Sequence, residues 1–379
     1  MPARTPCISK HTSAVTLLTL AAALALPSLR AVAQAPSTPV PPPQHYNVAN
    51  LTSNLNSLAP NMDPNLVNPW GLARSSGGPW WVSDNGTGLS TLYDGAGKVQ
   101  SLVVTVPASE PGKTGNPTGT AFNGDVNSFQ IAPGKNAIFL FATEDGTISG
   151  WNPGVNAKQA IVMVNTKEKS VFKGMTIATL FGQSYLYAAD FRRSRVAVYD
   201  SRFNPVHLPE DSFDDDRVRD GYAPFNVQNI GGNIYVAYAK QDAARHDEVD
   251  GAGKGFVDVF SASGKLLHRL EHGPWFNAPW GLALASGDFG SHSHDVLVGQ
   301  FGSGEILAFN PVSGAFNGKL TRTDNQPFHV DGLWAIAFGG DGAGNGPATT
   351  LFFTAGIDHE TNGIFGKITP VENTQGNDR

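Results

Sequence analysis

Acids, amides and a few histidines recur along this 379-residue chain in short polar loops rather than in one compact motif. Asp84 with Asn85, Glu144 with Asp145, Asp190 with Arg192, Lys240 with Asp242, Gln300, and Asp358 with His359 each follow an apolar stretch such as "WWVS" or "IFLFAT". A second series, Asn68, Asn116, Lys173, Asn277, His329 and Asp331, stands at or just before the start of stretches such as "PWGLA". Hard oxygen donors gathered from several loops suit Ca²⁺ or a similar divalent cation, the one cofactor that this donor set suggests. Such an ion would polarise a carbonyl or activate water, with a histidine as general base. The catalytic candidates are then His329, Asp331 and His359, and the metal candidates are Asp84, Asp145, Asp331 and Asp358. Asn68, Asp84, Asn116, Asp145, Lys173, Asp190, Lys240, Asp242, Asn277 and Gln300 would line a ligand pocket. A plainer reading stands beside this one, because Asp and Asn also start turns by bonding their own backbone.

Those loops need elements to carry them, and the chain repeats itself. "PWGLA" occurs at Pro69–Ala73 and again at Pro279–Ala283. With Trp70 as anchor, comparable positions are Thr118, Met175, Phe225, Trp280 and Trp334, at intervals of 48, 57, 50, 55 and 54 residues. After each anchor come an apolar strand, a polar loop and a second strand with alternating character, as in "IFLFATEDGTISGWNPG". Repeats of this length indicate propeller blades. The predicted fold is all-β, a six-bladed β-propeller of four-stranded blades, since radial closure leaves only short, protected sheet edges. "YNVANLTSNL" (Tyr46–Leu55) precedes the first complete unit and is expected to pair into the last blade. In this geometry the start of each inner strand and the loop between its second and third strands share one face, so both series of polar residues converge on one funnel.

Composition bounds the rest. Forty-three glycines and 26 prolines suit many short strands joined by turns. Arg4 and Lys10, the apolar Ala14–Leu26 and the small residues of "AVAQA" read as a signal peptide over residues 1–33. Residues 34–45 read as a proline-rich linker, 46–370 as the propeller and 371–379 as a polar tail. Losing residues 1–33 removes Arg4, Lys10 and Arg30 and no acid, so the formal charge moves from −6 to −9. That surface argues against nucleic acid as a partner. The only cysteine, Cys7, leaves with the signal, which excludes a disulfide or a catalytic thiol in the mature chain. The expected product is secreted, periplasmic or extracellular, monomeric, and without a membrane span once the signal is cleaved.

Common enzyme motifs are missing: "FGQSYL" lacks the second glycine of a nucleophile elbow, and "HETNG" is not H-E-x-x-H. "RHDEVDGAGKG" (Arg245–Gly255) is a long insertion without the alternating acids of an EF-hand, and a lid over the funnel is an equal reading. "EDSFDDDRVRDG" (Glu210–Gly221) reads as a solvated acidic face, and "SHSH" (Ser291–His294) as surface on the opposite side.

"LVNPWGLA", "GYAPFNVQNIGGNIYVAYAKQD", "GKGFVDVFSASGKLL", "LVGQFGSGEILAFNPVSGAFNGKL" and "DGLWAIAFGG…LFFTAGIDHETNGIFGKI" resemble a family of secreted bacterial six-bladed propellers. Some of its members carry a PEP-CTERM sorting tail; "VENTQGNDR" has no hydrophobic span and departs from that pattern. More distantly the chain is similar to NHL-type propellers, which include lyases, lactonases and interaction modules. The resemblance implies the fold, not the chemistry. Three functions stay open: a module binding a small molecule, glycan or protein, a metal-dependent hydrolase or lactonase, and a lyase whose His329 and His359 meet on a metal.

Overall fold

The computed structural model describes residues 45–371, so the signal peptide, nearly all of the linker and the polar tail lie outside the described residues. Six antiparallel sheets are arranged as blades, and short strands and turns replace helix almost throughout. Inner strands are Pro69–Arg74, Pro117–Phe122, Phe172–Leu180, Tyr222–Ile230, Pro279–Leu284 and Leu333–Phe338. Five blades have at least four strands, whereas the third has three, Phe172–Leu180, Gln183–Asp190 and Arg195–Tyr199. The ring closes as expected: Tyr46–Ser53 pairs antiparallel with Ile364–Pro370 on the outside of the sixth blade. Asn61–Met62 adds a short parallel strand beyond it.

The core follows this plan. Apolar clusters fill the spaces between neighbouring blades, and a further cluster sits on the axis. Its members include Trp70, Phe191, Phe225, Trp280 and Trp334, with Phe301 packed against them. Trp70 stacks on Trp334 at 3.5 Å, and Trp280 meets both rings edge-on. Rings of this size in mutual contact close a space that smaller side chains would leave hollow.

Register corrects one anchor. Pro69 pairs with Asp84, Pro117 with Thr143, Phe172 with Asp190, Pro279 with Gln300 and Leu333 with Ala355, each followed by a one-residue bulge. The equivalent of Trp70 in the third blade is therefore Lys173, and Met175 stands two residues further along. With Lys173 the intervals become 48, 55, 52, 55 and 54 residues, more even than before. The bulge puts two residues opposite one and aims the first of them at the axis. In that place the third blade presents an ammonium group where three others present tryptophan.

Candidate functional site at the axis

Inner-strand entrances and the loops after the second strands do share a face. Asn85 N–H donates to the Asn68 carbonyl, Glu144 N–H to that of Asn116, Phe191 N–H to that of Val171 and Phe301 N–H to that of Ala278. The residue that ends the second strand bonds within its own blade, and its successor, on the opposite side of the pleat, faces inward. Phe191 and Phe301 thus join the axial aromatics, while Asn85 and Glu144 bring polar groups to the same level.

Lys173 is the centre of this level. Its side chain is 1% exposed, and Nζ lies 2.5 Å from Glu144 Oε1 and 3.1 Å from Asp247 Oδ1. The ammonium also sits 5.0 Å above the Trp70 ring and 5.9 Å from that of Phe191. Its carbonyl accepts from Trp280 Nε1 at 3.1 Å. Asn85 Nδ2 donates to the other oxygen of Glu144, and Trp334 Nε1 donates to Asn68 Oδ1. Burial alone would push the Lys173 ammonium down, but Glu144, Glu248 and Asp247 outweigh it and hold its pKa above the usual range. The amine is therefore protonated, which excludes it as a nucleophile near neutral pH.

Two further acids complete the cluster. Glu248 is half-buried, and its pKa is pushed up to about 7, chiefly by burial, with Lys173 pulling it down and Glu360 and Asp247 pushing it up. Glu360 is raised by burial and then by Glu144, with Lys173 and Asn68 acting the other way. A left-handed turn delivers it: Asp358, His359 and Glu360 have φ of 53°, 55° and 63°. Consecutive non-glycine residues in that region cost about 1–2 kcal/mol each, a strain that concentrates at functional sites. The turn begins at Gly356, where a Cβ would lie 2.2 Å from Asn68 Oδ1.

Asp247 and Glu248 arrive on the insertion after Lys240, which folds over the axis as a lid. Its base is tied by Asp242, whose Oδ1 accepts from His246 N–H, and by Val249 N–H donating to the Lys240 carbonyl. The far end is tied by Asn277, whose Oδ1 accepts from Gly251 N–H and whose own N–H donates to Gln300 Oε1. At its tip His246 Nδ1 lies 2.8 Å from Asp247 Oδ1.

Of the residues singled out in the sequence, Asn68 and Lys173 meet in this cluster, while Lys240, Asp242, Asn277 and Gln300 hold its lid. Asn116 flanks it, donating from Nδ2 to the Asn85 carbonyl and from its N–H to Asp145 Oδ2. Asp84 is fully buried in its own blade, accepting from Thr91 N–H and Oγ1, and Asp190 bonds Ser170 and Arg195. Asp358 accepts from Asn362 across its own turn. His329 and Asp331 are exposed and line a separate groove of about 550 Å³ with Tyr46 and Arg322. Among the described residues no hydrogen bond or ion pair joins His329 to His359. Asp84, Asp145, Asp331 and Asp358 likewise form no common group of ligand atoms.

The grouping that could hold a metal is Glu144, His246 and Asp247, whose ligand atoms lie within 4.8 Å of one another. One imidazole and two carboxylates suit a borderline ion better than Ca²⁺, which takes six to eight oxygens. Lys173 already shares the same Glu144 and Asp247 oxygens, so its ammonium opposes any second cation there. The Ca²⁺ expectation does not fit this donor set. In the sequence Asn85 and Glu144 stand in the loop series but are passed over for Asp84 and Asp145. The insertion carrying His246, Asp247 and Glu248 reads there only as a lid or a weak Ca²⁺ site, and Glu360 is not singled out. The "KG" of "KGMTIA", aligned on the "WG" of "PWGLA", is the cue that could have found their centre.

No family model matches the chain. The soluble aldose sugar dehydrogenase from Escherichia coli, in its apo-form, covers 86% of this chain and all of its own with a TM-score of 0.53. At 13% identity that likeness shows the fold alone. Two proteins of Acanthamoeba polyphaga mimivirus, uncharacterized protein R648 and uncharacterized protein L690, are each 31% identical over 85% of this chain. The matches cover 80% and 85% of those proteins, respectively. At this identity and coverage the chain belongs to one family with R648 and L690.

Proposed function

We propose that this is a secreted binding protein whose small polar ligand is recognised at the axis of the entrance face, beneath the lid that follows Lys240. One observation carries the reading: a lysine buried to 1% among carboxylates from other blades. Burying an ammonium costs several kcal/mol unless it is well paired. Closure of the ring does not require it, because Trp70, Thr118, Phe225, Trp280 and Trp334 fill the corresponding places in the other blades. A ligand with hydroxyl or amine groups would find acceptors in Glu144, Asp247, Glu248 and Glu360 and a fixed positive charge in Lys173. Secretion rests on the signal-like residues 1–33.

The test is a thermal-shift screen of residues 34–379 against sugars, amines and carboxylic acids, repeated on Glu360→Gln and Asp247→Asn. A stabilising compound whose effect shrinks in both variants supports the axial site. Equal stabilisation of both variants and the wild type would place binding elsewhere. The Glu144, His246 and Asp247 grouping favours a second reading, a metal-dependent hydrolase or lactonase. It requires turnover of an ester or lactone that EDTA abolishes and added metal restores.

A further inference from the structure

A cavity of about 700 Å³ lies between the third and fourth blades, outside the axial cluster and next to the base of the lid. Its outer wall is the acidic excursion between those blades, with Asp214, Asp216 and Asp220, and its inner wall includes Tyr222 and Tyr238. Arg219 and Arg245 also face it, leaving carboxylates in surplus.

This wall is built rather than loose. Arg217 grips Asp215 with Nε and Nη2, at 2.9 and 2.7 Å. Arg269 reaches the same carboxylate at 3.1 Å while forking onto Asp258 at 2.6 and 2.9 Å. Bidentate pairs fix geometry as well as charge, so Arg269 pins the excursion to the fourth blade, with Asp214, Asp216 and Asp220 lining the cavity. Phe213 N–H donates to the Gly264 carbonyl and its ring packs on Tyr187 and Phe260, tying the same segment to the core of both blades.

Tyr238 supplies an independent observation. It is 4% exposed, and its hydroxyl meets no hydrogen-bond partner among the described residues. Burial above all, and the charges of Asp258, Asp215 and Asp214, keep the phenol neutral. A buried hydroxyl is ordinarily paired, and an unpaired one beside a cavity calls for a polar partner that the protein itself does not supply. Carboxylates beside aromatic faces suit an organic cation, which gains from charge and ring together, better than a strongly hydrated metal ion. The volume matches that of small-molecule pockets.

We propose that the cavity between the third and fourth blades is a second binding site, selective for a small organic cation such as an amine or guanidinium compound, held by the aspartates of the excursion and by the Tyr238 hydroxyl. It borders the base of the lid at Asp242 and Arg245, but its aspartates and Tyr238 lie outside the axial cluster, so either reading can fail without the other. Calorimetric titration of residues 34–379 with agmatine, spermidine and choline, and with glucose and CaCl₂ as contrasts, tests the site. At least one of the amines binds, and added salt weakens it. Tyr238→Phe, which removes only the hydroxyl, weakens it about fivefold, the worth of one hydrogen bond. Asp214→Asn/Asp216→Asn/Asp220→Asn, whose carboxylates make no hydrogen bond among the described residues, weakens it by at least about tenfold, as loss of several nearby charges should. Asp288→Asn, an exposed carboxylate on the fifth blade away from both sites, leaves it unchanged. No heat with any amine at 10-fold millimolar excess overturns the proposal. So does amine binding that ignores the Tyr238 and aspartate variants, or CaCl₂ binding more tightly than every amine.

Discussion

The inner strands of the first and third blades occupy equivalent places and meet the axis by opposite means. Trp70 fills its place with an aromatic ring stacked on Trp334, whereas Lys173 inserts an ammonium that must be neutralised by Glu144 and Asp247. The first solution rests mainly on shape, although the buried Trp70 Nε1–H meets no acceptor among the described residues. The second depends on groups from another blade and from an insertion, and it makes those groups depend on the lysine in return. One place is filled by packing, and the other by a charge that other blades must balance.

The sharpest way to break this contrast is Lys173→Met, which keeps the bulk and removes the charge. Removing one partner of a buried ion pair typically costs about 3–5 kcal/mol, because the other charge stays behind. Urea unfolding should show that loss, and Glu144→Gln added to Lys173→Met should recover much of it. A single variant as stable as wild type would mean that Glu144 simply turns to solvent, and the lysine would then be a replaceable filler.

The packed side of the comparison rests on close backbone approach. A Cβ on Gly71 would lie 2.4 Å from the Thr118 carbonyl oxygen and 2.7 Å from Thr120 N. Gly71→Ala should therefore cost about 1–3 kcal/mol through overpacking between the first two blades. A thermal midpoint within a degree of wild type would show that the inner strands have slack that these distances deny.

Blade count, closure by Tyr46–Ser53 and the shared polar face were all legible, because each rests on local patterns of alternation, turn residues and repeat spacing. The axial chemistry was legible only as a set of loops. In "SDN" and "TED" the eye falls on Asp84 and Asp145, yet it is Glu144 that meets Lys173 and Asn85 that donates to Glu144, since the strand pleat decides which of two neighbours faces inward. Glu360 was hidden for another reason: only the left-handed turn at Asp358–Glu360 brings it round, and nothing in "GIDHETNG" announces three positive φ angles. The insertion was visible as an insertion, but its reach to a lysine 74 residues earlier was not.

A pH series sharpens the dependent side. The folded pKa of Glu248, about 7, lies above its ordinary 4.5, so the neutral form favours the fold. Its contribution is complete below about pH 4.5 and is lost as pH rises through 7. Glu248→Gln should match wild type at pH 4.5 and exceed it at pH 8 by about 1–2 kcal/mol, a figure reduced for the solvent at its edge. Parallel stability curves for the two proteins across that window would remove Glu248 from the cluster's charge balance.

The smallest effect expected is at the rim. Asp247 is 62% exposed at its side chain, so its pair with Lys173 is worth little to global stability, and Asp247→Asn should cost less than about 1 kcal/mol. Local opening is a different matter, because Asp247 is the lid's ion pair to the axial lysine while the ends of the lid are held by backbone bonds and Asn277. Amide exchange over residues 241–255 should therefore quicken about threefold in Asp247→Asn, with the inner strands unchanged. If exchange quickens in the inner strands as well, the pair belongs to the scaffold after all. If it quickens nowhere, the lid is held by its ends alone, and Lys173 owes its burial to Glu144.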